Sequence, residues 1–303
     1  MSILVVGSVA FDTVETPFGK VTEALGGSAT YFSTSASYFA PVKLVAVVGS
    51  DFPQEHITVL KGRGIDVSGL QTVAGGKTFR WKGKYEYDLN QAQTLDTQLN
   101  VFSNFDPQLN DGHKDSPYVF LANIDPDLQW KVLEQVKRPK LVACDTMNFW
   151  IEGKPDALKK LLKRVEILMI NESEAREFAG CSSLVKAAKT ILQAGPRALI
   201  IKRGEYGAIM FIGCSVFSAP AYPLEEICDP TGAGDSFAGG FMGYIASTGD
   251  LTETSLRKAV IFGSVMASFN VEAFSLGRLS ALTLEEIRGR YTELKRLTHF
   301  EGL

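Results

Sequence analysis

What the chain has little of narrows the field first. It has three histidines, His56, His113 and His299, and four cysteines, Cys144, Cys181, Cys214 and Cys228, widely spaced and without a C-x-x-C pair. That spacing offers neither a structural zinc site nor a disulfide framework, and it suits a reducing cytoplasm. Neither charge sign is in excess, since 31 Lys and Arg stand against 34 Asp and Glu for a net charge of −3. A general attraction to nucleic acid or to an anionic membrane is therefore not expected, and any phosphate must be held by local donors, which implies a small ligand. No apolar run reaches transmembrane length. Met1 to Gly7 is apolar but lacks a basic flank and soon meets Asp12, so it reads as a strand and not as a signal peptide. The G-x-G-x-x-G that would follow such a strand in a dinucleotide-binding protein is missing, as are repeats and low-complexity tracts.

What is there fills a sizeable core: 45% of the 303 residues are hydrophobic, enough for one large α/β domain or two small ones. Ile3 to Gly7 reads as a fully buried first strand whose C-terminal end carries Asp12, the end at which open parallel sheets bind ligands. Thr16-Pro17-Phe18-Gly19 supplies a turn within a hairpin over Thr13 to Leu25. Gly26-Gly27 opens a helix to about Phe39, and paired glycines let a ligand approach the backbone. A β-α-β rhythm follows: strand 43–49, helix 53–63, then from Pro117 strands 118–122, 140–144 and 166–170 with helices near 127–136 and 155–164. Asn123, and Asp145 with Asn148, fall at strand ends facing the presumed site, and each equally suits a turn or a cap. Residues 78–89 break the rhythm. Phe79, Trp81, Gly83, Tyr85, Tyr87 and Leu89 alternate with polar residues, which predicts antiparallel strands of a second, smaller sheet, with irregular connection up to about Phe105.

The stretch Asp229 to Phe241, D-P-T-G-A-G-D-S-F-A-G-G-F, joins a turn, small residues and an acid at a predicted helix start. Exposed N–H groups over Gly232, Ala233 and Gly234 would face an anion along the helix dipole. Asp235, in the first turn, would lie beside a phosphate held on those amides and is placed to accept a proton from a substrate hydroxyl; phosphoryl transfer needs little beyond positioning, cancelled charge on the moving group and such an acceptor. The same residues also suit a plain helix start, with Gly239, Gly240 and Gly243 present for close helix packing.

This segment resembles the C-terminal signature of the ribokinase-like, or PfkB-type, carbohydrate kinase family almost residue for residue. The resemblance implies that the Gly232, Ala233 and Gly234 amides form an anion hole and that Asp235 is the catalytic base. It extends along nearly the whole chain. Asp12 matches the aspartate that bonds sugar hydroxyls, and Gly26 and Gly27 match the Gly-Gly sugar motif, although Tyr31 stands where many relatives carry asparagine. Asn171-Glu172-Ser173-Glu174 matches an N-x-x-E motif, so that Asn171 and Glu174 would help hold hydrated Mg²⁺. Lys202, Gly204 and Gly207 resemble a turn near the nucleotide phosphates, and Arg278 would border the adenine. The second sheet resembles a substrate-covering lid.

The expectation is a single domain, 1–303, with a three-layer α/β/α ribokinase-like fold: a mostly parallel central sheet plus a small β-lid formed by about 12–25 and 70–103. It would be a cytoplasmic, ATP- and Mg²⁺-dependent kinase acting on a hydroxyl of a small sugar or sugar derivative, with substrate contacts at Asp12, Gly26, Gly27, Tyr31 and Asn123. The alternatives are a nucleoside kinase, since Tyr31, Phe32 and the lid aromatics could stack a base, and a non-catalytic ligand sensor. No nucleic-acid or membrane partner is expected. The aromatic stripe on a sheet too small for its own core suggests a homodimer through the lid.

Overall fold

A computed structural model describes residues 1–299. In chain order, β1 (Ile3–Val6) leads to the hairpin β2 (Ala10–Thr16) and β3 (Gly19–Gly26), then α1 (Ser28–Ala36), β4 (Val42–Gly49), α2 (Gln54–Gly62) and β5 (Asp66–Val73). Next come β6 (Phe79–Tyr85), β7 (Ala92–Gln98), α3 (Asp111–Lys114), β8 (Tyr118–Leu121), α4 (Pro126–Gln135), β9 (Leu141–Cys144), α5 (Asn148–Gly153) and α6 (Pro155–Leu162). The remainder is β10 (Ile167–Asn171), α7 (Glu172–Ala179), α8 (Leu184–Gln193), β11 (Ala198–Lys202), β12 (Ala208–Ile212), β13 (Ser215–Ala219), α9 (Ala233–Thr248), α10 (Glu253–Asn270) and α11 (Leu284–Leu297).

The large sheet runs β13-β12-β11-β10-β9-β8-β1-β4-β5, parallel from β11 to β5, with β12 and β13 added antiparallel at one edge. Its central strands are apolar on both faces because each face is covered. Ile3 and Val5 enter a core shared with α1, α9 and α10, whereas Leu4 and Val6 enter one shared with α4, α6 and α8. This is the expected three-layer α/β/α body, and it puts the C-terminal ends of β1, β8, β9, β10 and β11 along one rim. No helix among the described residues is long and apolar enough to cross a membrane.

The second sheet, β3-β2-β6-β7, leaves that rim directly after β1. It differs from the sequence reading in three ways. First, β6 pairs antiparallel only with β7 and runs parallel to β2, Ala10 opposite Phe79 through Glu15 opposite Lys84; period-two alternation reports a one-faced strand, not the direction of its neighbour. Second, the strand stops at Tyr85, so Tyr87, 86% exposed, and Leu89 lie in the following turn, where Asp88 Oδ1 accepts the Asn90 N–H at 3.0 Å. Third, β7 falls where irregular chain was expected. Each of its residues is exposed, so burial leaves no pattern in A-Q-T-L-D-T-Q, and backbone pairing alone makes it a strand. Residues 70–73 belong to β5 of the large sheet.

The helix glycines have a packing reason. A Cβ on Gly240 would stand 2.7 Å from Met266 Cγ and from the Phe262 carbonyl of α10, and one on Gly239 or Gly243 would strike α1 or the residues just after it. α9 is thus sandwiched closely between two helices.

Candidate active site

The turn before α9 is shaped by Asp229, whose Oδ1 accepts the Thr231 N–H at 2.9 Å. Gly232 then takes φ 75°, a left-handed conformation, and a Cβ there would collide with the Tyr31 ring. Among the described residues the N–H groups of Gly232, Gly234 and Asp235 have no protein acceptor. Ala233, expected to be one of the donors, gives its N–H to the Pro230 carbonyl at 3.1 Å and closes the turn instead. The free donors therefore sit at Gly232, Gly234 and Asp235, at the positive end of a 16-residue helix.

A charged group forms around them. Lys202, at the end of β11, places Nζ 2.8 Å from where a Gly234 Cβ would stand. Desolvation pushes the Asp235 carboxyl up to about 6, with Lys202 opposing. Glu174 is raised to about 7 by burial, again against Lys202. Asp145, just past β9, is held well above the usual carboxylate range by burial and then by the charge of Asp235, and its buried Oδ1 has no partner. The sequence marks Asp145 only as a strand-end polar residue, because its charged neighbours arrive from β11, α7 and α9.

Asn171 and Glu174 form a capping box on α7: Asn171 Oδ1 accepts the Glu174 N–H, and Glu174 Oε2 accepts the Asn171 N–H, each at 2.8 Å. Asn171 Oδ1 also accepts from Ser173. The motif is therefore a helix start as well as a buried acid in the cleft. The acids fit a hydrated divalent cation in one specific way: Asp145 Oδ1 is unpartnered and both Asp145 and Glu174 resist ionisation, which a nearby cation would relieve. Among the described residues no three His, Cys, Asp or Glu converge as a ready-made cage, so most of the shell would be water and phosphate oxygen.

At the other end, buried Asp12 accepts the Gly27 N–H on Oδ2 at 3.4 Å, and Gly26 leaves no room for a Cβ beside that carboxylate. Burial raises Asp12 to about 7, with Asp229 and Asp235 adding to the effect. Trp81 is its direct partner across β2 and β6. Four residues on, at the end of β6, Tyr85 is buried and its hydroxyl accepts from Thr231 Oγ1 at 3.4 Å, joining the small sheet to the glycine turn. Burial pushes Tyr85 up to about 12 and also raises Tyr31, whose ring lies on Gly232.

Not every expected residue joins this cleft with free donors. Asn123 is committed, accepting from Trp150 Nε1 at 3.1 Å on Oδ1 and pointing Nδ2 at Met147 Sδ. Arg278 spends its guanidinium on Glu272 and Glu286, at 2.9 and 2.6 Å, over the Phe269 ring. Gly204 and Gly207 do form the turn between β11 and β12, both with positive φ, and Asn90 from the β6–β7 turn packs onto Gly204.

The chain matches the pattern of the pfkB family carbohydrate kinases over residues 2–281. It is 32% identical over 250 residues to a cytidine kinase of Thermococcus kodakarensis, covering 80% of this chain and 88% of that one. Among solved structures, the nucleoside kinase of Methanocaldococcus jannaschii, described as an archaeal member of the ribokinase family, superposes with a TM-score of 0.77 at 20% identity, over 96% of this chain and 98% of that one. The aminoimidazole riboside kinase of Salmonella enterica, complexed with aminoimidazole riboside and an ATP analogue, gives 0.75 at 18% identity, over 96% and 100%. The fold is ribokinase-like.

Proposed function

We propose a specific reaction from one premise: this chain belongs to the pfkB family of carbohydrate kinases. It is a phosphotransferase with a hydroxyl acceptor. The proposed reaction is transfer of the γ-phosphoryl group of ATP to a hydroxyl of a small sugar or sugar derivative, in the cytoplasm. The observation that carries it is the first turn of α9, where Asp235 stands beside the unpaired N–H groups of Gly232 and Gly234 with Lys202 against Gly234. In our reading Asp235 takes the acceptor's proton, and the free amides and Lys202 balance charge on the phosphoryl oxygens. Mg²⁺, when bound with ATP, would spread the charge of the triphosphate, and Glu174 and Asp145 are the acids that would hold its water shell. Asp12 would accept from hydroxyls of the acceptor, between Gly26, Gly27 and Tyr31. Gly204 and Gly207 would border the donor's phosphates.

We read residues 1–303 as one kinase domain in which the hairpin at about 12–25 and the segment up to about 103 act as a lid. The Tyr85–Thr231 and Asn90–Gly204 contacts support this, since each brings the small sheet onto a loop of the body. A nucleoside acceptor is the second reading. It is favoured by the likeness to a cytidine kinase and by Trp81 lying opposite Asp12, where an indole can cover a base while the carboxylate holds the ribose. Coupled ADP release over pentoses, hexoses, sugar phosphates and nucleosides tests both: turnover with a nucleoside alone selects the second reading, and no turnover with any hydroxylated acceptor removes the proposal.

A further inference from the structure

Asn270 is the last residue of α10 and is buried, 1% exposed. Its Nδ2 donates to the Thr231 carbonyl at 2.7 Å, and its Oδ1 accepts from Ser236 Oγ at 3.0 Å. Only one orientation of the amide satisfies both neighbours, because a carbonyl can only accept and so requires Nδ2 on the Thr231 side. The bond spans the glycine turn, since Thr231 precedes Gly232 and Ser236 follows Asp235.

The consequence lies in the Thr231–Gly232 peptide. No peptide among the described residues is cis, so this planar unit points its C=O and N–H in opposite directions. Drawing the carbonyl towards α10 therefore turns the Gly232 N–H away from α10. A carbonyl that accepts a strong hydrogen bond also polarises its own peptide and makes that N–H a better donor. The Gly232 N–H is one of the groups without a protein acceptor, and it follows a residue whose side chain is tied to Tyr85. A left-handed glycine has several accessible backbone states, so a fixed direction for its N–H needs an external restraint.

We propose that Asn270 is a positioning residue for phosphoryl transfer: by donating to the Thr231 carbonyl it aims and polarises the Gly232 N–H as an anion donor. This rests on the reading of Gly232 to Asp235 as the phosphoryl end of the site. The test is steady-state kinetics of Asn270→Asp from pH 6 to pH 9. An aspartate keeps the shape and can still accept from Ser236, but once ionised it has nothing to donate to Thr231. At pH 8 kcat should fall about 10- to 100-fold, short of or equal to the loss of a whole oxyanion-hole donor, while KM for ATP and acceptor moves less than about threefold. The ratio of variant to wild-type kcat should rise as pH falls, because a protonated carboxyl regains the donor. A kcat within about twofold of wild type, or a loss whose ratio does not change with pH, overturns the proposal. Should that variant not fold, Ser236→Ala decides: it keeps Asn270 but removes the partner that fixes the amide, and an unchanged kcat overturns the proposal while a several-fold loss at constant KM supports it. Asp235→Asn separates the two levels. Full turnover there removes the underlying reading, whereas lost turnover beside wild-type kcat in both other variants removes Asn270 alone.

Discussion

In the proposed reaction Asp12 is the residue on which acceptor recognition would turn; it is buried, receives one N–H from Gly27, and has Gly26 cleared beside it. Asp12→Ala should raise KM for the acceptor by roughly 10- to 150-fold, the range for losing hydrogen bonds to a charged group of about 1.5–3 kcal/mol, and leave KM for ATP nearly unchanged. Equal effects on both substrates, read in the same ADP-release assay, would make Asp12 structural. Placement was legible where a short local rule fixes it, as in the turn and helix start that carry Asp235; Asp12, read at the end of β1, lies inside β2, and only the family resemblance singled it out as a substrate contact. What was not legible depends on where a polar group finds its partner. Nothing in Asp229 to Phe241 shows that the Ala233 N–H closes onto Pro230, that Asn270 reaches Thr231, or that Arg278 is spent on Glu272 and Glu286. The Asn270–Thr231 bond is set by how the turn before α9 packs against α10, whereas the Pro230 turn and the Arg278 pairs are nearer in sequence but leave no mark in its pattern.

Elements show the same division. β1, β4, β8, β10 and β11 are apolar runs that announce a buried parallel sheet, whereas β7 is exposed along its length and carries no pattern. α9 is the element most constrained by its neighbours. Gly240→Ala should destabilise the protein by about 1–2 kcal/mol despite the better helix propensity of alanine, because the new methyl would meet the Phe262 carbonyl and Met266 at 2.7 Å and backbone cannot yield. Gly289→Ala in α11, with nothing within 4 Å, should instead stabilise by about 0.5–1 kcal/mol. Urea unfolding of the pair checks both signs, and a stabilised Gly240→Ala would contradict the close α9–α10 packing.

At the scale of the molecule, the cleft stores unfavourable charge. Asp12, Glu174 and Asp235 have folded values of about 7, 7 and 6 against ordinary values of 3.8, 4.5 and 3.8. Between roughly pH 4 and 7 the folded chain therefore holds protons that the unfolded chain releases, and the stability these groups contribute at low pH is lost as pH rises through 6 to 7. The ligand-free protein should lose about 5 °C or more in Tm from pH 5 to pH 8, and Mg²⁺ with an ATP analogue should restore much of it; a Tm flat across that range would mean the acids are solvated. The small sheet has its own consequence. Tyr85 is already covered by the body, but Trp81 is only half-buried and the edge at β7 is exposed, so we propose that the sheet pairs with a second copy, seen by light scattering as a dimer that Trp81→Glu splits. A monomeric wild type would contradict this. The central claim, that Asp235 is the base for phosphoryl transfer to a hydroxyl, is tested most directly by following label from γ-³²P-ATP into the acceptor that the substrate panel identifies, with wild type and Asp235→Asn side by side. The account predicts labelled acceptor from wild type, at least about a 10²-fold lower kcat in the variant, and ATP binding preserved in both. Label transfer by Asp235→Asn at the wild-type rate would contradict it.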